Sequence, residues 1–92
     1  MNPPMFVIVT DGLGDVQRNL AFEAIKSASE AAGTAWWHHF SDVWIVQGKS
    51  AADWRDLVRS TGEASVLVLE LTSGWAAYSP SKGHPWLHTQ FG

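Results

Sequence analysis

The apolar residues of this chain fall into short continuous runs and longer periodic ones. Residues 6–9 (FVIV) and 66–71 (VLVLEL) are too short for helices and are largely apolar, which is typical of strands covered on both faces. Residues 36–46 (WWHHFSDVWIV) are dense in aromatic and β-branched side chains around a polar pair. This pattern predicts a β-hairpin with its turn at Ser41 and Asp42, and therefore four strands in all.

Two stretches between these strands carry apolar residues at helical spacing. The first follows a turn that contains Gly12 and Gly14, and we expect Asp15 to cap this helix and complement its dipole. Gly33 is expected to end it in the left-handed conformation. The predicted apolar stripe of the helix comprises Val16, Leu20, Ala24, Ala28 and Ala32, with Ala21 and Ile25 beside it.

The second predicted helix follows the hairpin. Ser50 and Asp53 have the three-residue spacing of a capping box, and Gly62 is expected to end the helix. Arg55 and Arg59 lie four residues apart on one face, which we expect to be solvated. The predicted buried face comprises Ala51, Trp54, Leu57 and Val58.

The resulting order of elements, βαββαβ, predicts the fold. Split βαβ units of this kind form a ferredoxin-like α+β fold, in which a four-stranded antiparallel sheet carries both helices on one face. The first and third strands are central in that topology, and the second and fourth lie at the edges. We predict a single domain over residues 1–92, with its core over about 5–72 and a C-terminal aromatic tail over 73–92.

The second strand brings aromatic side chains to an edge of this sheet. Because side chains alternate along a strand, Trp36, His38 and Phe40 should face one way, and Trp37 and His39 the other. Either set would place bulky groups on the side of the sheet that has no helices, and an apolar open face needs a cover. The aromatic tail could fold over its own sheet or add to the sheet of a partner.

The tryptophan content predicts an interface. The chain has 92 residues, of which 46% are hydrophobic and six are Trp, which is more indole than one small core usually holds. We therefore predict a homodimer, with a further protein partner as an alternative. Glu70, a charge within an apolar edge strand, would either block aggregation or pair with a basic group across an interface. The predicted interface residues are Trp36, Trp37, His38, His39, Trp75, Tyr78 and Trp86.

Charge and cysteine content narrow the function classes. Six basic and nine acidic residues give a net charge of −3, which disfavours general nucleic-acid binding. Without cysteine the chain forms neither disulfides nor thiolate zinc sites, which fits a reducing compartment. We find neither a signal-peptide pattern at the N-terminus nor an apolar run near the ~18 residues of a membrane span, and so expect a cytoplasmic protein that is not in a membrane.

Several short stretches carry a family resemblance. They are Thr10-Asp11, Trp36-Trp37-His38, Trp44-Ile45-Val46, Trp75-Ala76-Ala77-Tyr78 and Trp86-Leu87. Together they resemble the small bacterial proteins of the SinR-type family, over about residues 5–88. That family is similar in fold to virulence-associated protein D and to the small dimeric subunit of the CRISPR adaptation complex. The resemblance implies a ferredoxin-like homodimer.

The same resemblance draws attention to Asp11. In the wider superfamily an Asp at the end of the first strand meets its symmetry mate near a two-fold axis, and several members are metal-dependent endonucleases. Two facing carboxylates could bind Mg²⁺ or Mn²⁺, and Arg18 could neutralise a phosphate. Alternatively, Asp11 makes only a hydrogen bond within its glycine-rich turn, and Arg18 is solvated or pairs with a nearby carboxylate.

The histidines form a weaker candidate metal site. His38 and His39 are adjacent on a strand, so they point to opposite faces and cannot reach one ion together. His84 and His88 have the spacing of a helical metal pair, but Pro85 disfavours a helix at His84. We expect structural roles for them.

Three functional hypotheses follow. The first is a non-catalytic homodimeric module for protein binding or assembly. The second is a divalent-metal-dependent endonuclease, acting on RNA or DNA, that uses Asp11 from both protomers. The third is a small inhibitor or antitoxin-like protein of a phage or mobile element, which suits the size and acidity but has no motif behind it.

Overall fold

The predicted order of elements is confirmed. A computed structural model of the chain describes residues 3–71, apart from the side chain of His39. Its elements are β1 (Met5–Asp11), α1 (Asp15–Ala32), β2 (Trp36–Phe40), β3 (Val43–Gln47), α2 (Ala51–Arg59) and β4 (Ser65–Leu71). The aromatic tail, with Trp75, Tyr78 and Trp86, and the histidine pair His84 and His88 lie outside the described residues.

The four strands form one antiparallel sheet in the order β2-β3-β1-β4. β1 and β3 are therefore central and β2 and β4 lie at the edges, as the ferredoxin-like fold requires. Ile8 of β1 lies between Trp44 of β3 and Val68 of β4, which fixes the register across three strands. The predicted α+β fold class is confirmed.

Alternate residues of the central strands form the core with both helices. Phe6 and Ile8 of β1 face the same side as Trp44 and Val46 of β3. Burial of this apolar surface is the main stabilising contribution, because each large side chain removed from water contributes roughly 1.5–3 kcal/mol. The helix residues in this core are Ala21 and Ile25 of α1, and Trp54 and Val58 of α2.

The buried face of α1 is rotated from the predicted stripe. Val16 and Leu20 are exposed, and the buried residues are Ala21, Ile25 and Ser29. The prediction that Val16 and Leu20 lie on the buried stripe is wrong, because two adjacent rows of this helix are apolar and contact with the sheet selects between them. The small side chain of Ala21 at this contact leaves volume for the indoles in the same core.

The helix ends follow the sequence in part. Gly33 ends α1 with φ 68°, as predicted, and the Ser50 hydroxyl accepts a hydrogen bond from the Asp53 N–H at 3.1 Å, which is the N-cap half of the predicted capping box. Gly14 occupies the N-cap of α1 without a side-chain bond, and Asp15 is the first helical residue rather than the cap. The C-cap of α2 is Ser60 in right-handed conformation, not Gly62.

An irregularity in β2 changes the face of one aromatic ring. Trp37 pairs with Ile45 but Phe40 pairs with Val43, so the register shifts by one residue between Trp37 and Phe40. An extra residue of this kind reverses the alternation that follows it. Phe40 therefore shares a face with Trp37, with their ring centroids 5.2 Å apart, and the prediction that it faces the same way as Trp36 is wrong.

Within residues 3–71, neither helix combines the length and the apolar character that crossing a membrane requires.

Candidate functional site

The side of the sheet opposite the helices, here called the open face, is apolar from one edge strand to the other. Met5, Trp37 and Ile45 form a second buried cluster there. Half-buried side chains from three strands surround this cluster, namely Val7, Val43 and Leu71. The middle of the open face is therefore a second, smaller core.

The two edges of the open face carry exposed apolar side chains. On β4, Leu67 is 54% exposed and Leu69 is 53% exposed, and on β2 Phe40 is 48% exposed. An isolated exposed leucine is ordinary, but two at alternate positions of one edge strand form a continuous apolar row. These residues are the strongest candidates for contact with another molecule.

A groove runs along the outer side of β4. Its walls are α2 and the edge strand, and it is open to solvent. The groove is lined by Ala51, Ala52 and Arg55 of α2 and by Val66, Leu67 and Val68 of β4. It joins the exposed row of the open face to the helix side of the molecule.

Asp11 lies exposed at the end of β1, opposite Ser65 of β4. Alternation along β1 puts its side chain on the open face, whereas the preceding Thr10 faces the helices. A shallow depression at this corner is lined by Val9, Thr10, Asp11, Ser65, Val66 and Leu67.

Arg18 belongs to a separate hydrogen-bonded network on the helix side. Its Nη1 donates to Asp15 Oδ1 at 3.1 Å, and its Nη2 donates to the Leu13 carbonyl at 3.2 Å and to Asp42 Oδ1 at 3.5 Å. The buried Thr10 hydroxyl donates to the same Asp42 carboxylate at 3.3 Å. This network ties the hairpin turn to β1 and to the start of α1.

The two predicted catalytic residues therefore lie on different sides of the sheet. The guanidinium of Arg18 contacts two carboxylates and a carbonyl, and none of these belongs to Asp11. Over residues 3–71, the structure contains no group of three or more His, Asp or Glu residues arranged to hold a metal ion. A divalent-cation site at Asp11 would need ligands from beyond residues 3–71 of one chain.

Two predicted interface residues on β2 contact their own chain. His38 stacks on Trp44 with ring centroids 4.4 Å apart, and its Nδ1–H donates to the Val43 carbonyl at 3.0 Å. Trp36 meets Phe22 of α1 edge to face at 5.5 Å. These rings help to attach β2 to α1 and to the core, whereas Trp37 lies on the open face.

The arginines of α2 lie in solvent, as predicted. The Nε of Arg55 donates to Asp56 Oδ1 at 2.9 Å, and Arg59 is exposed in the last turn. The hydrogen bond from Arg55 lowers the pKa of Asp56, and the same bond raises the pKa of Arg55.

The exposed row on β4 was not predicted from the sequence. The predicted topology already placed β4 at an edge, and alternation along residues 66–71 would have assigned Leu67 and Leu69 to the open face. Their exposure was not expected, because a continuous apolar run predicts a strand covered on both faces. The contact between Asp42 and Arg18 had no sequence signal, since the two residues are 24 positions apart.

Comparison with known proteins gives no relative: no protein family, curated protein or solved structure matches this chain. The resemblance to the SinR-type family therefore stays a prediction.

Proposed function

We propose that this protein is a non-catalytic, homodimeric module for assembly or protein binding, built on the ferredoxin-like fold. The observation that supports this function is the exposed apolar row on the edge strand, where Leu67 and Leu69 each expose about half of their side chains. Covering the exposed half of one leucine contributes on the order of 1 kcal/mol. In a symmetric contact both protomers bury the same residues, so the dimer gains this free energy twice.

The hydrogen-bonded network around Arg18 and Asp42 supports a structural role for these residues. Arg18 is held by Asp15, Asp42 and a carbonyl, and Thr10 is bonded to the same Asp42. A group that binds substrate is usually presented with donors available, whereas these donors connect three elements of the fold. A phosphate would have to compete with two carboxylates for the guanidinium.

The mass of the purified protein in solution tests this function. We expect light scattering at micromolar concentration to give twice the 10.1 kDa of one chain. The protein should remain folded on dilution below the dimer dissociation constant, because each chain has its own helix-side core. A mass near one chain at every concentration up to the millimolar range would contradict the proposed homodimer.

A divalent-metal-dependent endonuclease is the second candidate. The exposure of Asp11 at the end of β1 favours it, since a carboxylate there is accessible to a cation and to a second chain. In this proposal Asp11 from both protomers binds Mg²⁺ or Mn²⁺ and activates water for phosphodiester attack.

We also propose a cytoplasmic location. The chain has no cysteine, which fits a reducing compartment, because disulfides do not persist there and cannot stabilise a small domain.

A further inference from the structure

The outer edge of β4 carries no proline, lysine or bulge, and Glu70 is the one charged residue of the strand. In the described part of the chain, β4 pairs with β1 on one side only. An edge strand presents a row of backbone N–H and C=O groups that can pair with another strand. Natural edges are usually blocked by Pro, Lys or a bulge, but β4 reads SVLVLEL and pairs with β1 in regular register along its whole length.

Two charged side chains lie on the helix side of β4, Arg55 in the groove and Glu70 on the strand. Arg55 lines the groove beside Val66, and its Nε bond to Asp56 uses only one of five guanidinium N–H groups. Glu70 is exposed on the same side of the strand and forms no ion pair within residues 3–71. Arg55 lines the groove with both Val66 and Val68, and no ion pair joins it to Glu70 of its own chain within residues 3–71.

We propose that β4 pairs antiparallel with β4 of a second copy, about a two-fold axis at Val68, so that two sheets join into one of eight strands. This inference rests on the proposed homodimer and names its interface. In this register the residue numbers of two opposite residues add up to 136. Leu67 therefore lies against the partner's Leu69. The same register places Glu70 against the partner's Val66, beside the partner's Arg55.

The contacts on both faces of the joined sheet agree with this register. Directly opposite side chains in an antiparallel pair lie on the same face, about 4.5–5.5 Å apart at Cβ. On the open face the two exposed leucine rows cover each other. On the helix side each Glu70 meets the partner's Arg55, so the dimer gains two ion pairs at the ends of an apolar centre.

Neighbouring registers lose one of these contacts. An axis at Leu67 pairs that residue with itself and leaves Leu69 opposite the partner's Ser65. An axis at Leu69 pairs that residue with itself and leaves Leu67 opposite the partner's Leu71, which is already half-buried in its own chain. If the residue numbers of opposite residues add up to an odd number, open-face side chains lie opposite helix-side ones. Strands whose two faces differ do not pair in this way.

The first test compares two exposed apolar residues on opposite edges of the sheet. In Leu69→Lys the ammonium would be buried against the partner's Leu67 twice per dimer, and we expect the dissociation constant to rise about 100-fold or more. Phe40→Lys is the matched control, because Phe40 is nearly as exposed but lies on β2 at the far edge. Its dissociation constant should change by less than about threefold. Circular dichroism and thermal unfolding check that both variants are folded.

The second test exchanges the charges. Arg55→Glu and Glu70→Arg should each raise the dissociation constant by about tenfold, because each creates two like-charge contacts. The double variant should return it to within about threefold of the wild type. A chain without cysteine also permits a test of the axis, since Val68→Cys should form a disulfide-linked dimer on oxidation, and Phe40→Cys should not.

The outcomes separate this inference from the function on which it rests. A wild type that is monomeric at every concentration removes both. A wild-type dimer that survives Leu69→Lys and shows no charge rescue keeps the homodimer but overturns the β4 interface, as does a dimer that Phe40→Lys breaks in place of Leu69→Lys. Loss with Leu69→Lys, rescue by the double charge exchange and a Val68→Cys disulfide together support the inference.

Discussion

One hydroxyl is buried where α1 packs on the sheet. Ser29 has no solvent exposure, and its Oγ finds no hydrogen-bond partner among residues 3–71. A buried polar group without a partner costs about 1–3 kcal/mol, and Ser is also less favourable than Ala in a helix. We expect Ser29→Ala to raise the free energy of unfolding by about 0.5–2 kcal/mol, measured by urea denaturation.

Ser27 provides the control for that substitution, since it lies on the exposed side of the same helix. Ser27→Ala should change stability only through helix propensity, by a few tenths of a kcal/mol. Equal effects of the two substitutions, or a loss of stability in Ser29→Ala, would show that the Ser29 hydroxyl is satisfied in solution.

Two aromatic rings that touch on the open face should differ in their importance for stability. Trp37 is 6% exposed, whereas Phe40, in contact with it, is about half exposed. We expect Trp37→Ala to lower the free energy of unfolding by about 3–5 kcal/mol, and Phe40→Ala by about 1 kcal/mol. Denaturation of the two variants below the dimer dissociation constant measures the difference. Similar losses would place the Trp37 ring in solvent.

The tryptophans of residues 3–71 do not form the exposed apolar surface that the composition led us to expect of them. The four tryptophans in the described part of the chain are buried or half-buried, and Trp44 and Trp54 have no exposure. Excess indole therefore does not produce the exposed apolar surface of residues 3–71, whose large side chains are Val16, Leu20, Phe40, Leu67 and Leu69. Composition could indicate a surplus of apolar groups but not which groups would be left outside, because burial depends on register.

At the scale of elements, the order of strands and helices could be predicted from the sequence, but the face of α1 that packs on the sheet could not. Apolar runs of four to six residues separated by periodic stretches specify βαββαβ, and only a few topologies accommodate that order. Val16, Leu20 and Ala21 are all apolar, so the helix pattern alone allows two adjacent faces toward the sheet. Long-range packing against the sheet determines which of the two faces is buried. A local sequence pattern carries no information about that packing.

The hairpin shows the same limit. Its existence followed from the polar pair at its centre, but the register shift between Trp37 and Phe40 did not. The Ser-Asp turn is bonded to other elements, since the Asp42 carbonyl accepts from the Thr10 N–H at 2.9 Å. Pairing of β2 is therefore set together with contacts from β1 and α1, and the candidate open face could be predicted only as far as simple alternation holds.

Asp42 is expected to matter for the junction of three elements. Its carboxylate accepts from the Thr10 hydroxyl and from Arg18, while its side chain is only partly exposed. We expect Asp42→Ala to lower the free energy of unfolding by about 1–2 kcal/mol. Asp42→Asn, which keeps an acceptor but removes the charge, should lose about half as much. Chemical denaturation that left Asp42→Ala as stable as the wild type would show that the turn is held by its backbone alone.

At the scale of the whole molecule, the proposed β4 interface and the shared-carboxylate site exclude each other. Asp11 lies opposite Ser65, three residues from Val68, so two symmetry-related Asp11 residues are six residues apart along the strands. That separation is about 20 Å, and three strand spacings add about 14 Å sideways. Two carboxylates about 25 Å apart cannot bind one cation, whose ligands lie at about 2–2.6 Å.

The endonuclease hypothesis can therefore be tested together with the dimer geometry. Wild-type protein and Asp11→Ala are incubated with single-stranded RNA and with duplex DNA, each with Mg²⁺ or Mn²⁺. The β4 interface predicts that Asp11→Ala has the same dimer mass as the wild type and that neither protein cleaves, or that both show the same trace of contaminating cleavage. The acidic chain, with −6 for a dimer (2 × −3), also disfavours approach of a polyanion.

The opposite result would be equally informative. Metal-dependent cleavage that wild type performs and Asp11→Ala lacks would mean that the two carboxylates meet, and hence that the functional dimer is built through the open face near the end of β1. Leu69→Lys alone does not separate the two assemblies, because Leu69 lies on β4 and on the open face alike, so the charge exchange decides between them. If Leu69→Lys abolishes dimerisation while the Arg55→Glu/Glu70→Arg exchange gives no rescue, the face and not the edge forms the interface.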